Sequence, residues 1–393
     1  MKRLFCLLLA LAGLLCACGR TDTPAQTTAG TSSNPPETTA AWEDTVQLPM
    51  ISVSAPLMRQ ETKNQAGQTV FTQITQDFSV IAPDADAAAQ VVLNLLRLAD
   101  GGQDTAEALR QQALADESAA DHPYRYQLLY SPMRIDEKVL SLFGAETTDM
   151  GGVHPNRSCL SLNFDMATGE QLHLSDILEN ADAAVSLSQL IIENLSARKQ
   201  EDQLYDGYAS LVSGRYSGEG WEDCTAWYLS AAGFCAYFSP YELAPYVAGQ
   251  IVVEIPYGEL GGILRADFRP AALPDRSGTP DAALAQDVDP DRFRQYSEAI
   301  LDPNGERVLL FADDLISDVT LEQGDWAENG RFLPLSTVFM ARSLCSDDAV
   351  TLQLPLTGAD IGLRLRWTAG GQAHTARLRL DSADSTVRLT DIT

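Results

Sequence analysis

The sequence is poor in the residues from which catalytic centres are built. Its four histidines, His122, His154, His173 and His374, stand in four unrelated contexts among 393 residues. A hydrolase needs a nucleophile with a base, paired carboxylates or a metal, and no motif of these kinds is recognisable. The sequence therefore predicts a protein that is not an enzyme and that binds no metal and no cofactor.

Positive charge is also scarce. The chain has 27 lysines and arginines against 54 aspartates and glutamates, which gives a formal net charge of −27. Such a charge disfavours nucleic acids and anionic membrane surfaces as partners and favours cationic ones. The acidic residues are scattered and form no single run, so solubility alone is an alternative explanation.

The N-terminus has no apolar run long enough to span a bilayer. Lys2 and Arg3 precede an apolar stretch, residues 4–17, which is followed by Cys18 and Gly19. This pattern resembles a bacterial lipoprotein signal, and the small residues just before Cys18 favour cleavage there. We expect residues 1–17 to be the signal peptide, Cys18 to be lipidated, and the protein to be anchored at the outer face of the cell membrane. An ordinary secretory signal with an incidental cysteine is the alternative.

Large apolar side chains are almost absent between Arg20 and Thr45, where Thr, Ser, Pro, Ala and Gly dominate. Such a composition cannot bury enough apolar surface to offset the entropy of ordering. The sequence predicts a lipidated, disordered tether over residues 18–45.

The exported part of the chain has few cysteines and no CxxC spacing. It keeps Cys159, Cys224, Cys235 and Cys345. A hairpin with its turn at residues 231–233 would place Cys235 opposite about Leu229, so a disulfide to Cys224 is not favoured. Free buried thiols are the other interpretation.

The segment 151–178 has the most specific local pattern. Its strand alternates apolar and polar residues from Cys159 to Asp165, and the tight reversal that follows ends at Gly169, which suits a positive φ. Leu172 and Leu174 then lead into a helix start at residues 175–176. This pattern predicts a hairpin followed by a capped helix.

That segment and a second one, residues 227–260 (WYLSAAGFCAYFSPYELAPYVAGQIVVEIPYGEL), resemble the extracytoplasmic domain of RsiV-type lysozyme-responsive anti-sigma factors. The same kind of domain stands beside the deacetylase domain of PdaC-type enzymes. The resemblance covers residues 151–269, and residues 46–150 are similar to the small domain that usually precedes it. It implies an α+β fold with helices packed on mixed or antiparallel sheets. It also implies binding of lysozyme, but no specific contact residue can be matched.

The periodicity predicts further elements in these two domains. Residues 45–82 are extended, a helix runs from Asp84 to the stop at Gly101 and Gly102, and a second helical stretch covers residues 105–115. Strands follow at residues 124–130 and 139–143. An amphipathic helix is expected at residues 183–199.

Two groups of side chains are candidate ligand contacts. The irregular region 202–223 combines Tyr205, Tyr208, Tyr216 and Trp221 with glycines and acidic residues, which is typical of a recognition loop. The alternative is that these rings plug the edge of the core. His154 lies on a Gly-rich turn, where it binds a ligand or, alternatively, holds the turn.

The C-terminal part has a different pattern. Residues 270–290 are rich in Pro, Asp, Ala and Gly and read as a linker, and seven short strand patterns follow in residues 291–393. Seven strands predict an immunoglobulin-like β-sandwich. Its strands 361–367 and 374–380 carry an arginine row, which either contacts an anionic wall polymer or forms a solvated sheet face.

Together these patterns predict an α+β protein of two small tandem domains followed by an all-β sandwich. The favoured function is a non-catalytic surface lipoprotein that binds an extracellular protein of the lysozyme type or a cell-wall glycan. Two alternatives stay open: a peptidoglycan-modifying or hydrolytic enzyme with a site near His154, and a structural protein of the envelope. No nucleic acid is expected as a partner.

Overall fold

The described chain begins with strands that belong to two different sheets. The computed structural model describes residues 46–200, 203–354, 362–381 and 386–391. The expected signal peptide, Cys18 and the tether lie outside these residues. The described residues belong to one compact unit that spans Thr45–Thr393.

The first half of this unit alternates strands and helices. In chain order it contains β1 Ser52–Ser54, β2 Leu57–Lys63, β3 Thr69–Gln76, β4 Ser79–Ile81, α1 Ala85–Ala115, β5 Tyr124–Ile135, β6 Val139–Asp149, β7 Asn156–Asp165, α2 Leu174–Ile177, α3 Ala181–Ala197, α4 Tyr208–Ser217, β8 Trp227–Leu229, β9 Gly233–Phe238 and β10 Ile251–Pro256.

The second half is almost entirely β. It contains β11 Pro280–Leu284, β12 Gln295–Ile300, β13 Glu306–Ala312, β14 Ile316–Trp326, β15 Phe332–Leu344, β16 Asp348–Leu354, β17 Gly362–Ala369, β18 Gln372–Asp381 and β19 Thr386–Asp391. The α+β class with a C-terminal sandwich is thereby confirmed.

The α+β part stacks as alternating helices and sheets. Helix α1 packs on the five-stranded sheet β2-β3-β5-β6-β7, and α3 packs on the three-stranded sheet β10-β9-β8. The two sheets meet through aromatic side chains, with the ring centroids of Phe143 and Tyr228 4.7 Å apart. Polar side chains add a second link, because Ser161 Oγ donates to Trp227 O at 2.6 Å and Asn163 Nδ2 donates to the same oxygen at 2.9 Å.

The C-terminal strands form two packed sheets. One has seven strands in the order β19-β18-β17-β14-β15-β1-β4, and the other has four in the order β11-β13-β16-β12. Their common core includes Val319, Phe339, Leu352 and Leu365, which are all fully buried. All seven strands predicted from the sequence are present within these sheets.

Two strands from the N-terminal part complete the larger of these sheets. Strand β1 pairs with β15 on one side and with β4 on the other, so that Val53 lies opposite Met340 and Val80. The buried hydroxyl group of Ser52 on β1 forms a hydrogen bond of 2.8 Å with that of Ser297 on β12, a strand of the smaller sheet. Residues 46–150 therefore do not form a body separate from residues 291–393.

Strand pairing also crosses the other expected domain limits. Strands β6 and β7 are neighbours although they lie on either side of the expected limit at residue 150. The expected linker 270–290 contains β11, which pairs with β13 from Pro280 to Leu284. The Pro- and Gly-rich composition concealed this short strand, because four of its five residues are Pro, Asp or Ala.

Helix α1 runs through the glycines that were expected to stop it. A Cβ on Gly102 would lie 2.3 Å from the hydroxyl oxygen of Tyr126. Glycine is thus required because helix and sheet approach closely here, and the expectation of two separate helices was wrong. Asp84 does cap the helix, since its side chain accepts from the backbone N–H groups of Asp86 and Ala87.

Other local predictions are confirmed. Gly169 has φ +73° and closes the turn after β7, and helix α3 lies where the amphipathic pattern placed it. Cys159, Cys224, Cys235 and Cys345 are all free. Cys235 pairs with Tyr228, one residue from the expected position.

One side chain joins the three elements where the two halves meet. The Gln76 amide nitrogen lies 3.1 Å from Ala55 O, 2.9 Å from Tyr130 O and 3.0 Å from Ser336 Oγ. Its oxygen accepts from Tyr130 N at 2.6 Å. Loss of the amide would therefore remove this partner from Ala55 O, Tyr130 O and Tyr130 N in a partly buried junction.

We therefore expect Gln76→Ala to lower the free energy of unfolding by about 2 kcal/mol, because it leaves buried backbone groups without partners. Urea unfolding followed by tryptophan fluorescence measures this change. Gln73→Ala is the matched control, since this neighbour on β3 makes no side-chain hydrogen bond within the described residues. Equal effects of the two substitutions would contradict the role given to Gln76.

Candidate ligand-binding surface

The segment 239–249, which joins β9 to β10, forms a sharply bent connection that we name the elbow. Its first turn is held by Glu242, whose Oε2 accepts from Ser239 N at 2.6 Å. The other carboxylate oxygen of Glu242 pairs with Arg215 Nη2 on α4 at 2.8 Å. Ser239 Oγ in turn accepts from Cys159 N on β7 at 2.9 Å. The elbow is thus fixed to a helix and a strand on either side.

Tyr241 stands at the tip of this turn in an unfavourable backbone conformation. Its φ is +73°, the left-handed region that bulky L-residues rarely adopt. Its side chain is nevertheless 57% exposed. A strained residue that presents a large ring to solvent is a pattern associated with functional sites, since packing alone gives no reason to retain it.

His154 brings a second segment to the elbow. Its ring stacks on that of Tyr246 with centroids 3.9 Å apart and an angle of 18°. Its Nδ1 lies 3.0 Å from Pro155 O, and its Nε2 lies 3.4 Å from the hydroxyl of Tyr241. Tyr246 also donates to Pro155 O at 3.0 Å. His154 therefore secures the turn and also forms part of an exposed aromatic cluster.

Exposed apolar side chains extend this cluster. Val153 and Val247 are among the most exposed large hydrophobic residues of the described chain. We name the surface formed by Val153, His154, Tyr241, Tyr246 and Val247 the elbow patch. Contiguous exposed apolar and aromatic groups of this kind mark interaction sites on soluble domains.

A pocket of about 470 Å³ opens next to the start of the elbow, where Ser239 and Glu242 line it. Its walls include Glu219, Asp223 and Glu242 together with Arg215. Cys159 and Cys224 also line this pocket. Burial raises the pKa of each thiol above the ordinary value for cysteine. Both thiols are therefore protonated near neutral pH and are poor nucleophiles.

The four aromatic residues predicted from the region 202–223 have different environments. Tyr205 is exposed and its backbone N–H bonds to Leu243 O at 2.8 Å, which places it next to the elbow. Tyr208 and Trp221 are half-buried against the core beneath α3. Much of the region is not an irregular loop, because residues 208–217 form α4.

Tyr216 does not belong to any ligand surface. It is 0% exposed, its hydroxyl donates to Ala226 O, and its ring lies edge-on to Phe238. Burial also raises its pKa well above the ordinary value. The expectation that Tyr216 contacts a ligand is corrected: it is a core residue of the three-stranded sheet and its helices.

The sequence alone did not identify Tyr241 and Tyr246. Their segment, SPYELAPY, shows two Pro-Tyr-type steps, which indicate a bend but not exposure. A left-handed tyrosine has no sequence signature, because tyrosine does not favour that conformation.

A larger cleft of about 910 Å³ lies where β5 faces the seven-stranded sheet. Asp318 lines it at a register shift in β14 and has φ +50°. Burial raises the pKa of this carboxyl. The buried guanidinium of Arg134 also lies here and is ion-paired to Asp136 at 2.6 Å. Arg134 Nη1 also donates to the hydroxyl of Tyr257 and to Phe268 O, so this guanidinium is held within the fold.

Within the described ranges, no group of three or more His, Cys, Asp or Glu side chains is arranged to hold a metal ion. In the same residues, no helix combines the length and hydrophobicity needed to cross a membrane.

Comparison with known proteins gives one family match, in the part of the chain that contains the elbow. Residues 175–258 match the family described as "Protein of unknown function (DUF3298)". The chain therefore contains a DUF3298 domain, and the match lies inside the segment 151–269 that the sequence singled out. A search of curated proteins found no match.

Two solved structures match part of this chain. A DUF3298 family member from Bacteroides fragilis is 15% identical, covers 56% of this chain and 95% of its own, and has a TM-score of 0.41. A DUF3298 family protein from Pseudomonas aeruginosa is 16% identical, covers 58% of this chain and 99% of its own, and has a TM-score of 0.37.

The strain at Tyr241 predicts that glycine destabilises the protein less than alanine at this position, which is the reverse of the usual order. Both changes remove the ring, but only alanine keeps a Cβ in the left-handed conformation, which costs about 1 kcal/mol. We expect Tyr241→Gly to have a higher free energy of unfolding than Tyr241→Ala, as measured by urea titration. At Tyr296, an exposed position on strand β12, the order should be the usual one with alanine more stable. The same order at both positions would contradict the strain at Tyr241.

Proposed function

We propose that this protein is a non-catalytic, lipid-anchored surface protein whose elbow patch binds an extracellular protein of the lysozyme type. The observation that carries this proposal is the cluster of the exposed Tyr241 and His154 with the half-buried Tyr246, on an elbow held by the Glu242–Arg215 ion pair. The resemblance of segments 151–178 and 227–260 to lysozyme-binding domains supports the same class of partner.

The chemistry of the elbow patch suits a protein partner. Tyrosines supply large contact area at low conformational-entropy cost and are frequent among the residues that dominate binding energy. Because hydrogen bonds and stacking already order the rings, little further entropy is lost when a partner docks. A cell-wall glycan is the other ligand for which stacked, exposed rings are suited, and the experiment below includes it.

Charge favours a basic partner. The net charge of −27 and the carboxylates of Glu219 and Asp223 in the pocket next to the elbow attract cationic proteins. Such attraction accelerates association, but charge alone is screened beyond about 8 Å at physiological salt. Binding that persists in salt therefore requires the aromatic contacts.

Calorimetric titration of the chain from Trp42 onward, which contains the whole compact unit, with lysozyme at low and physiological salt tests this function. We expect saturable one-to-one binding at both salt concentrations. Tyr241→Gly should weaken it at least about tenfold, because it removes the central ring without adding backbone strain.

Tyr296→Ala is the matched control, since Tyr296 is 41% exposed but lies on the sandwich. Muropeptides titrated in parallel reveal whether a glycan is the ligand instead. Absence of binding to lysozyme, or an equal effect of the two substitutions, would contradict the proposal for the elbow patch.

Anchoring is tested separately by replacing the expected lipidated residue. We expect Cys18→Ser to abolish incorporation of labelled palmitate and to release the protein from the membrane fraction, because position 18 then has no thiol to carry the diacylglyceryl group. Cys16→Ser is the control and should retain both properties, since a small residue still precedes the cleavage site. Retained labelling of Cys18→Ser would show that this cysteine is not the anchor.

A further inference from the structure

The outer face of the seven-stranded sheet carries five arginines on three neighbouring strands. Strands β17, β18 and β19 lie side by side at one edge of the sheet. Alternate residues such as Leu363, Leu365 and Leu378 are buried in the sandwich core, so the residues between them project from the opposite face. We name this surface the arginine face; it consists of Arg364, Arg366, Arg377, Arg379 and Arg388.

Strand register places like charges directly opposite each other on this face. Arg364 pairs with Arg377 across β17 and β18, and Arg379 pairs with Arg388 across β18 and β19. Directly opposed like charges destabilise a sheet. Two such pairs on one face are unexpected in a chain that has twice as many acidic as basic residues. The face therefore concentrates positive charge, which Glu322 offsets in part, since its carboxylate lies 2.6 Å from Arg364 Nε and 3.9 Å from Arg366 Nη1.

Two of these arginines are held in place by aromatic rings. The guanidinium carbon of Arg364 lies 4.5 Å from the centre of the Phe332 ring, and that of Arg377 lies 4.8 Å from the Trp326 ring. The two rings pack together with centroids 4.8 Å apart. Arg364 Nε also donates to Glu322 Oε2 at 2.6 Å. Such contacts order the long side chains before any ligand arrives.

The outer members of the face are exposed to solvent. Arg366, Arg379 and Arg388 are all exposed, whereas Arg364 and Arg377 are half-buried. Arg366 also lines the 910 Å³ cleft, so the arginine face continues into a concave surface. A ligand can therefore reach several guanidinium groups at once.

The spacing of the arginines fits a repeating anion. Alternate residues on a strand are about 7 Å apart, and neighbouring strands are about 5 Å apart. Opposed guanidiniums from two strands can share one phosphate, because its oxygens accept hydrogen bonds from several directions and match the planar fork of arginine. We propose that the arginine face binds a linear polymer with a phosphate on each repeat.

The same observations disfavour a nucleic acid as this polymer. Proteins that bind single strands provide exposed rings on which bases stack. The rings at the arginine face, Trp326 and Phe332, are instead covered by Arg377 and Arg364. A polymer with phosphates and no bases needs only guanidinium groups for binding, and this surface provides them.

Binding of long-chain inorganic polyphosphate to the full chain tests this inference. We expect saturable binding in calorimetry at physiological salt, with affinity that falls as salt is raised, as phosphate contacts require. The double variant Arg379→Gln/Arg388→Gln should weaken binding about tenfold or more. The matched control is Arg59→Gln, an exposed arginine on β2. Thermal unfolding of each variant verifies that it is folded.

Four results would overturn the inference, three of which concern polyphosphate and its carboxylate counterpart. These are no saturable binding of polyphosphate, an equal effect of the control substitution, or equally tight binding of poly-glutamate, which carries carboxylates in place of phosphates. Tighter binding of a single-stranded oligodeoxynucleotide than of polyphosphate would also overturn it. Tyr241→Gly should leave polyphosphate binding unchanged, so failure at the elbow patch and failure at the arginine face are distinguishable.

Discussion

The structure depends on the insertion of β1 between β15 and β4. This short strand provides backbone hydrogen-bond partners for β15 and β4 near one edge of the larger sandwich sheet, while the strands that follow it in the chain, β2 and β3, belong to the α+β part. Gln76 then joins Ala55, Tyr130 and Ser336 at the point where the chain crosses between the two parts. Because β15 needs β1 as a partner, neither part has a complete set of backbone hydrogen bonds without the other. A linear succession of independent domains is not compatible with this arrangement.

This constraint has consequences for both proposed surfaces. The elbow of this patch lies in the DUF3298 domain, whose three-stranded sheet is held to the five-stranded sheet by Ser161 and Asn163, so its rings rest on a rigid base. The arginine face lies at the edge of the sandwich sheet that contains β1. One surface combines exposed tyrosines with neighbouring carboxylates, and the other combines guanidiniums with covered rings. Ligands of opposite charge are therefore suited to the two surfaces of one protein.

Local features followed from local sequence. Asp84 caps α1 because an aspartate before an apolar helical pattern accepts from free backbone N–H groups. Gly169 closes its turn because glycine tolerates positive φ. The strands of the sandwich were identifiable from alternation of apolar and polar residues. These features share one cause, since each is decided within a few residues of the chain. His154 was singled out for its Gly-rich turn, but its stacking partner Tyr246 lies 92 positions away.

The sequence by itself determined the class of fold, the positions of most strands and helices, the DUF3298-like segment and the acidic character. Only the tertiary structure decided the continuity of α1, because the need for Gly102 arises from its approach to Tyr126. It also buried Tyr216, strained Tyr241 and set Arg364 opposite Arg377. Each of these features depends on a partner from another element. Such long-range contacts cannot be inferred from the local sequence pattern, because the partner is distant in the chain.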